Sequence, residues 1–355
     1  MKFDLNGFID KRVLLDVEPQ QKKDYRNKIN LSSNELHSLY MDLLLKKFIN
    51  NVDADILCKY PYYHAFIKEY AEFIHLEENS VIFTPGSDFG IYLLLTALTH
   101  KKCRIINFVP NYISYEKYSL YNNNAIYENI YFKQSFEEIK ISLKTYTNSI
   151  VILTNPNGFD GDRFDKEQVD CIVDICRDQN NLLILDEAYA AFDGFERNDL
   201  LMKPENQHLI IVRSFSKCFG IAGLRLGCIL ANSEIISYLA RWNPTNTVSS
   251  FSMAFFSFCL KQPDLLKKIR DEIYENRKKL TSIFSQKTFV WPSHTNFIAC
   301  QFINNETKEK ALDLFKQRNT IVKDISKIYG YNHSLRITVP SEQELEVCEF
   351  VINRI

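Results

Sequence analysis

From about residue 80 the chain alternates short apolar runs with amphipathic stretches, and no other feature narrows its fold as much. "SVIFT" (80–84) leads into "DFGIYLLLTALTH" (88–100), and "CRIINFV" (103–109) follows. "SIVILT" (149–154) leads into "FDKEQVDCIVDICRDQ" (164–179), which is apolar at Phe164, Val169, Ile172, Val173 and Ile175 or Cys176. "NLLILD" (181–186), "HLIIVRS" (208–214) and "GCILA" (227–231) complete the series. Strand signals alternating with helix signals imply a parallel sheet covered by helices.

After about residue 250 the texture changes. "QPDLLKKIRDEIYENRKKLTSIF" (262–284) predicts one long amphipathic helix, with Pro263 and Asp264 at its start. Strands "TFVW", "NFIACQF", "TIVKDI" and "SLRITV" follow, with a helix "ETKEKALDLFKQR" among them and a closing helix over 341–355. The fold class expected is α/β, with a mostly parallel central sheet in a large domain and a smaller α+β domain. The expected boundaries are an arm over 1–34, a large domain over 35–255 and a small domain over 256–355. Residues 1–30 look polar and irregular, and "QQKKDYRNK" reads as a solvated arm.

A chain of 355 residues exceeds one typical core, which agrees with two domains. A formal net charge of −1 shows no electrostatic footprint for nucleic acid or an anionic membrane. The apolar runs are too short to span a bilayer. The N-terminus carries charges where a signal peptide needs an apolar core, so a cytoplasmic protein is expected. Nine scattered cysteines, with no C-x-x-C pair, suggest reduced buried thiols rather than disulfides, and no metal site is expected.

Ligands of open α/β sheets bind beyond the C-terminal ends of the strands. After "SVIFT" stand Gly86, Ser87 and Asp88, opening a helix. Free amides, a hydroxyl and a helix dipole make a phosphate seat, although plain turn and cap chemistry explains them equally. After "CRIINFVP" comes Tyr112, either a stacking ring or a packing tyrosine. After "SIVILT" comes the polar turn "NPNGFDG" with Asn155 and Asn157. After "NLLIL" come Asp186, Glu187 and Tyr189; a carboxylate at a buried strand end must be paired, or else it caps the next segment. After "HLIIV" come Ser214, Ser216 and Lys217, with Arg225 eight residues further on. A partly desolvated lysine amine is a nucleophile able to form a Schiff base, and an arginine offers a phosphate a fork of donors. Together the set suits pyridoxal phosphate, which needs such a lysine and a carboxylate for its ring nitrogen.

At these residues the chain resembles the fold-type-I pyridoxal-phosphate aminotransferases, in particular the histidinol-phosphate aminotransferase branch. The pattern S-x-S-K-x-x-G-x-A-G-x-R-x-G is met in full from Ser214 to Gly227, and "LDEAY" and "LRITV" also match. The resemblance implies that Lys217 forms the Schiff base and moves the substrate's Cα proton. It implies that Asp186 pairs with the ring nitrogen, that Asn157 and Tyr189 contact the ring oxygen, and that Tyr112 stacks on the ring. Gly86, Ser87, Asp88, Ser214, Ser216 and Arg225 would lie around the phosphate. Tyr60, in "KYPYY", would reach the phosphate of a partner subunit, so a homodimer with shared sites is implied. Arg336 would grip the substrate's α-carboxylate, with Asn296 lining the same end.

The departures concern substrate. The family's "NENP" is "NELH" here, Asn34 to His37, and Gln20 stands where a tyrosine helps to hold a substrate phosphate. Lys323 replaces the arginine usual for that phosphate; it can bind one, but as a point charge without the fork. "PTG" becomes Phe159-Asp160-Gly161. The expected activity is ping-pong transfer of an amino group from L-glutamate to a small phosphorylated carbonyl compound. The alternatives are decarboxylation of a phosphorylated amino acid and a non-catalytic regulator on the same scaffold.

Overall fold

The computed structural model describes residue 25 and residues 27–99, 103–120 and 125–355. Twelve strands in the described residues form two sheets. In chain order they are β1 (Ile29–Leu31), β2 (Val81–Thr84), β3 (Cys103–Val109), β4 (Ala125–Tyr131), β5 (Ser149–Thr154) and β6 (Leu182–Asp186). β7 (Leu209–Ser214), β8 (Gly227–Ala231), β9 (Phe289–Val290), β10 (Phe297–Gln301), β11 (Thr320–Asp324) and β12 (Ser334–Thr338) follow.

The larger sheet has the order β2-β8-β7-β6-β5-β3-β4. Its apolar runs are continuous because both faces are covered. Ile150, Ile152, Ile184, Ile210 and Val212 pack on one side, with Ile91, Leu94 and Leu95 of the helix Gly86–Leu98. Val151, Leu153, Leu183, Leu185, Leu209 and Ile211 pack on the other, with Val169, Ile172, Val173 and Cys176 of the helix Lys166–Asp178. Successive side chains point to opposite faces, so each run feeds two cores at once.

Six of the strands run one way, and β8 alone runs against both its neighbours, β2 and β7. The winding also reverses beside β3: the chain moves outward from β3 to β4, then returns to β5 and steps back through β6 and β7. Such a reversal opens a crevice at the C-terminal strand ends. The smaller sheet has the order β1-β11-β12-β10-β9, with β1 parallel to β11 and the other pairs antiparallel. The long helix spans Pro263–Phe284 with its predicted apolar stripe buried.

Two strands depart from the sequence expectations. β1 begins at the end of the segment read as irregular; three residues are too few to show a period. β4, "AIYENIY", is an edge strand that exposes much of its length, so polar residues interrupt its apolar pattern. The closing helix is shorter than expected, Leu345–Ile352, and is preceded by a turn in which the Glu344 carboxylate accepts from both the N–H and the hydroxyl of Ser341, at 2.8 and 2.9 Å. Among the described residues no helix is long and apolar enough to cross a membrane.

The end of β7 is fixed to the segment after β6 by a buried ion pair. Arg213 donates from Nε and Nη2 to Glu187 Oε2 at 2.9 and 2.7 Å, and from Nη2 to Asn198 Oδ1 at 2.6 Å. Glu187 Oε1 accepts from the Arg197 amide at 2.8 Å. Removing one partner strands a buried charge. Glu187→Ala is therefore expected to cost about 3–5 kcal/mol of stability, measured by urea denaturation.

Candidate active site

The helix Gly86–Leu98 starts directly after β2 and aims its first amides at the sheet edge. Gly86 has φ +79°, and a Cβ there would lie 2.9 Å from Arg225 Nη2. A Cβ on Gly227 would lie 2.5 Å from the Ser87 amide nitrogen. The start of β8 and the Arg225 guanidinium are thus pressed against the first helical turn, and only glycine allows it. The register places Gly227 opposite both Thr84 and Ser214. Gly86, Ser87, Ser214 and Arg225 meet at one edge, with the buried Ser216 two residues beyond β7. Asp88 has another occupation: its carboxylate accepts from Ser114 Oγ at 2.6 Å and Tyr118 OH at 2.7 Å. It anchors the helix Ile113–Leu120, which follows Tyr112.

Asp186 ends β6 and is 4% exposed. Tyr115 OH donates to Oδ2 at 2.9 Å and the Ala188 amide to Oδ1 at 3.0 Å. No lysine or arginine among the described residues forms an ion pair with it. Burial pushes its pKa up to about 6, although the two hydrogen bonds pull the other way. A buried carboxylate without a cation suits the protonated nitrogen of a pyridine ring.

Lys217 projects from the turn after β7, half-buried, and its Nζ donates to the carbonyls of Ser33 at 3.0 Å and Asn34 at 3.2 Å. The nitrogen lies 5.8 Å from the Tyr189 ring centre. Tyr189 OH accepts from Asn34 Nδ2 at 2.8 Å. Asn157 is buried; its Nδ2 donates to the Pro110 carbonyl at 3.0 Å and its Oδ1 accepts from the Phe159 amide at 2.8 Å. Tyr112 stands half-exposed beyond β3.

The smaller sheet supplies the opposite wall. Arg336, in β12, donates from Nη1 to the Gly158 carbonyl at 2.6 Å and from Nη2 to the Ser32 carbonyl at 3.2 Å. Its Nε, one prong of the fork with which a guanidinium grips a carboxylate, is buried without a partner. Asn296 donates from Nδ2 to the carbonyls of Asn34 and Glu35 at 3.1 and 3.3 Å, while its buried Oδ1 is unpartnered. Lys323 lies directly opposite Arg336 across β11 and β12, and so on the same face.

Three candidates stand apart. His37 is committed to Glu344 at 3.0 Å through Nδ1 and to the Asn30 carbonyl at 3.1 Å through Nε2. Tyr60 is 83% exposed on a surface that also exposes Leu57 and Tyr62. Gln20 lies outside the described residues. Sequence reasoning missed Tyr115 and the use of the Ser32–Asn34 backbone. Tyr115 could have been found one helical turn after Tyr112. Backbone carbonyls leave no signal in a sequence.

An available carboxylate, a lysine amine, a glycine-lined anion seat and an unpaired guanidinium nitrogen thus suit pyridoxal phosphate with an amino-acid substrate. Comparison with known proteins points the same way. A family model described as "Aminotransferase class I and II" matches residues 26–355. A histidinol-phosphate aminotransferase of Caldanaerobacter subterraneus subsp. tengcongensis is 31% identical over 292 residues, covering 81% of this chain and 80% of that protein. The structure of histidinol-phosphate aminotransferase from Sinorhizobium meliloti in complex with pyridoxal-5'-phosphate has a TM-score of 0.78 at 18% identity, covering 92% of this chain and 91% of that one. L-threonine-O-3-phosphate decarboxylase from Porphyromonas gingivalis has 0.77 at 21%, covering 92% and 98%. At such identities these two structures show a shared fold alone.

The raised pKa of Asp186 has a consequence for stability. The folded state holds this proton more tightly than the unfolded chain, so the charged form disfavours folding by on the order of 1–3 kcal/mol at neutral pH. The penalty is complete above about pH 6 and fades as pH falls from there toward the ordinary carboxylate range. Cofactor-free Asp186→Asn protein should therefore resist urea better than the parent at pH 8, and the gap should shrink between pH 6 and roughly pH 4.

Proposed function

The chain belongs to the class I and II aminotransferases, similar to the histidinol-phosphate aminotransferases, and on that premise we propose that it moves an amino group from L-glutamate to a small phosphorylated carbonyl compound by a ping-pong sequence. It is a pyridoxal-phosphate-dependent aminotransferase. The observation that carries the finer reading is the pair of cations on one face of the smaller sheet, Arg336 beside Lys323.

Bound at this edge, pyridoxal 5'-phosphate supplies an aldehyde that condenses with amines and a ring that withdraws electrons from the carbon attached to them. The first helical turn at Gly86 and Ser87, with Ser214, Ser216 and Arg225, would hold the phosphate. Asp186 would keep the ring nitrogen protonated, and Tyr115 would hold the carboxylate in place. Tyr189 and Asn157 would face the ring oxygen, and Tyr112 would cover the ring. Lys217 Nζ would hold the aldehyde carbon until the substrate's amine takes its place, and the freed amine would then carry the proton that leaves the substrate's Cα; released from the Ser33 and Asn34 carbonyls, it has the freedom to do so.

Arg336 would dock the substrate α-carboxylate on the edge that carries the unpartnered Nε. Lys323, directly opposite Arg336 on the same face, would meet a second anionic group at the substrate's far end as a point charge. A phosphate or a distal carboxylate would serve as that group. The exposed apolar surface around Leu57, Tyr60 and Tyr62 would be covered by a second copy, placing Tyr60 at the partner's phosphate. Nine free cysteines, most of them buried, suit a reducing compartment, and a cytoplasmic setting belongs to this reading.

The half-reaction tests the proposal. L-glutamate alone should yield 2-oxoglutarate and convert the cofactor to its amine form, seen as loss of the Schiff-base absorbance. Carbon dioxide from a phosphorylated amino acid, with no half-reaction from any amino acid, would establish decarboxylation instead. Lys217→Ala should abolish that absorbance and lower turnover by about 10²–10⁴-fold or more.

A separate comparison addresses the acceptor. Lys323→Ala should raise KM for a phosphorylated acceptor by about tenfold, with KM for L-glutamate changing less.

A further inference from the structure

The turn after β5 carries a buried carboxylate in the segment where this chain departs from the family pattern. Asp160 is 0% exposed. Its Oδ2 accepts from Tyr331 OH at 2.7 Å and lies 2.7 Å from Lys133 Nζ, and its Oδ1 accepts from the Asp162 amide at 3.0 Å. Those donors come from three places: the stretch just after β4, the loop between β11 and β12, and the turn itself. Lys133 also reaches Asp162 at 2.8 Å. Tyr331 is 2% exposed, and its ring centre lies 5.1 Å from that of Trp291.

An ion pair of this kind is weak evidence of a stabilising role, because apolar residues of similar volume often serve a fold as well or better. What the cluster provides is position. Two residues before Asp160, the Gly158 carbonyl accepts from Arg336 Nη1 at 2.6 Å, the shorter of that guanidinium's two backbone contacts. The turn between them is closed by Gly161 N to the Asn157 carbonyl at 3.1 Å and Asn157 N to the Asp162 carbonyl at 2.8 Å. A shift of Asp160 therefore moves Gly158, and with it the Arg336 edge that carries the unpartnered Nε.

We infer that Asp160 is a positioning residue for substrate binding: it sets the Gly158 carbonyl that orients Arg336, and through Tyr331 it ties that setting to the loop between β11 and β12. The inference rests on the reading of Arg336 as the carboxylate site. The loop also brings Tyr329 to Tyr131 at the end of β4, ring centres 5.1 Å apart, so it touches the larger sheet at a second point. Carboxylate affinity is thereby coupled to the seating of one sheet on the other.

The test uses holoenzyme with Asp160→Asn, Tyr331→Phe and, as reference, Arg336→Ala. The readouts are KM and kcat for L-glutamate and the Kd of succinate, an unreactive carboxylate followed through the cofactor's absorption band. Asp160→Asn and Tyr331→Phe should each raise KM and Kd by about 10–100-fold, the loss expected from a small misplacement of a binding group. The band itself should stay intact and kcat should change less. Adding Asp160→Asn to Arg336→Ala should alter Kd by no more than about twofold, because the two act on one contact. Tyr331→Phe removes a single hydroxyl and so guards against a variant that fails to fold. If Arg336→Ala responds while either other variant stays within about twofold, the inference is overturned, whatever happens to melting temperature. If Arg336→Ala itself leaves KM and Kd unchanged, the reading of Arg336 fails, and the inference falls with it.

Discussion

The reversed direction of β8 is the constraint on which the candidate site depends. A connection between parallel neighbours would carry the chain away from the C-terminal edge and back along the sheet. Because β8 runs against β7, the chain leaves the sheet at Ser214 and re-enters it at Gly227 on the same edge, directly opposite. The intervening turn holds Ser216, Lys217 and Arg225 there. β8 also runs against β2, so Gly227 meets Thr84 and the helix that opens at Gly86. One antiparallel strand in a parallel sheet thus brings the amine and the anion seat to a single place. The glycines follow from the closeness of that approach rather than from flexibility.

Asp186 shows the opposite logic, in which local energy is set against the fold. Its burial disfavours the charge it carries at neutral pH. One phenol and one amide are less than a buried carboxylate needs. Glu187, the next residue, is equally buried but has the Arg213 guanidinium as a full counter-charge. Two adjacent acids at the end of one strand therefore differ in their partners: one is tied to a guanidinium that holds the architecture together, and the other has no counter-charge among the described residues. Groups whose environment penalises their charge are concentrated where ligands bind.

Most of the larger sheet was legible because its strands are buried on both faces and their apolar runs are unbroken. β1 and β4 were not, since one is three residues long and the other an edge strand with Glu128 and Asn129 in its middle. The site divides along a similar line. Lys217, Asp186 and Arg225 bear side chains whose chemistry announces itself near a strand end, whereas Arg336, in the middle of β12, came from the family resemblance alone. His37 and Asp88 were drawn in by position alone, and the structure commits both to structural neighbours. Ser33, Asn34 and Gly158 act through carbonyl oxygens, which every residue has. Only their three-dimensional placement distinguishes them.

Those carbonyls indicate where this chain's individuality resides. Ser33 and Asn34 hold Lys217, Ser32 and Gly158 hold Arg336, and Asn34 and Glu35 hold Asn296. Lys217 and Asp186 lie in stretches that match the family pattern, whereas the carbonyls that hold Lys217 and Arg336 lie beside departures from it, Leu36-His37 and Phe159-Asp160. A backbone contact survives almost any change of side chain, provided that the segment stays in place. What keeps the second segment in place is side-chain chemistry of this chain's own, chiefly the buried Asp160 carboxylate. On the reading of Arg336 as the carboxylate site, substitutions there would retune the grip on a substrate without touching Lys217 or Asp186, so substrate choice would be free to drift while those two remain where they are.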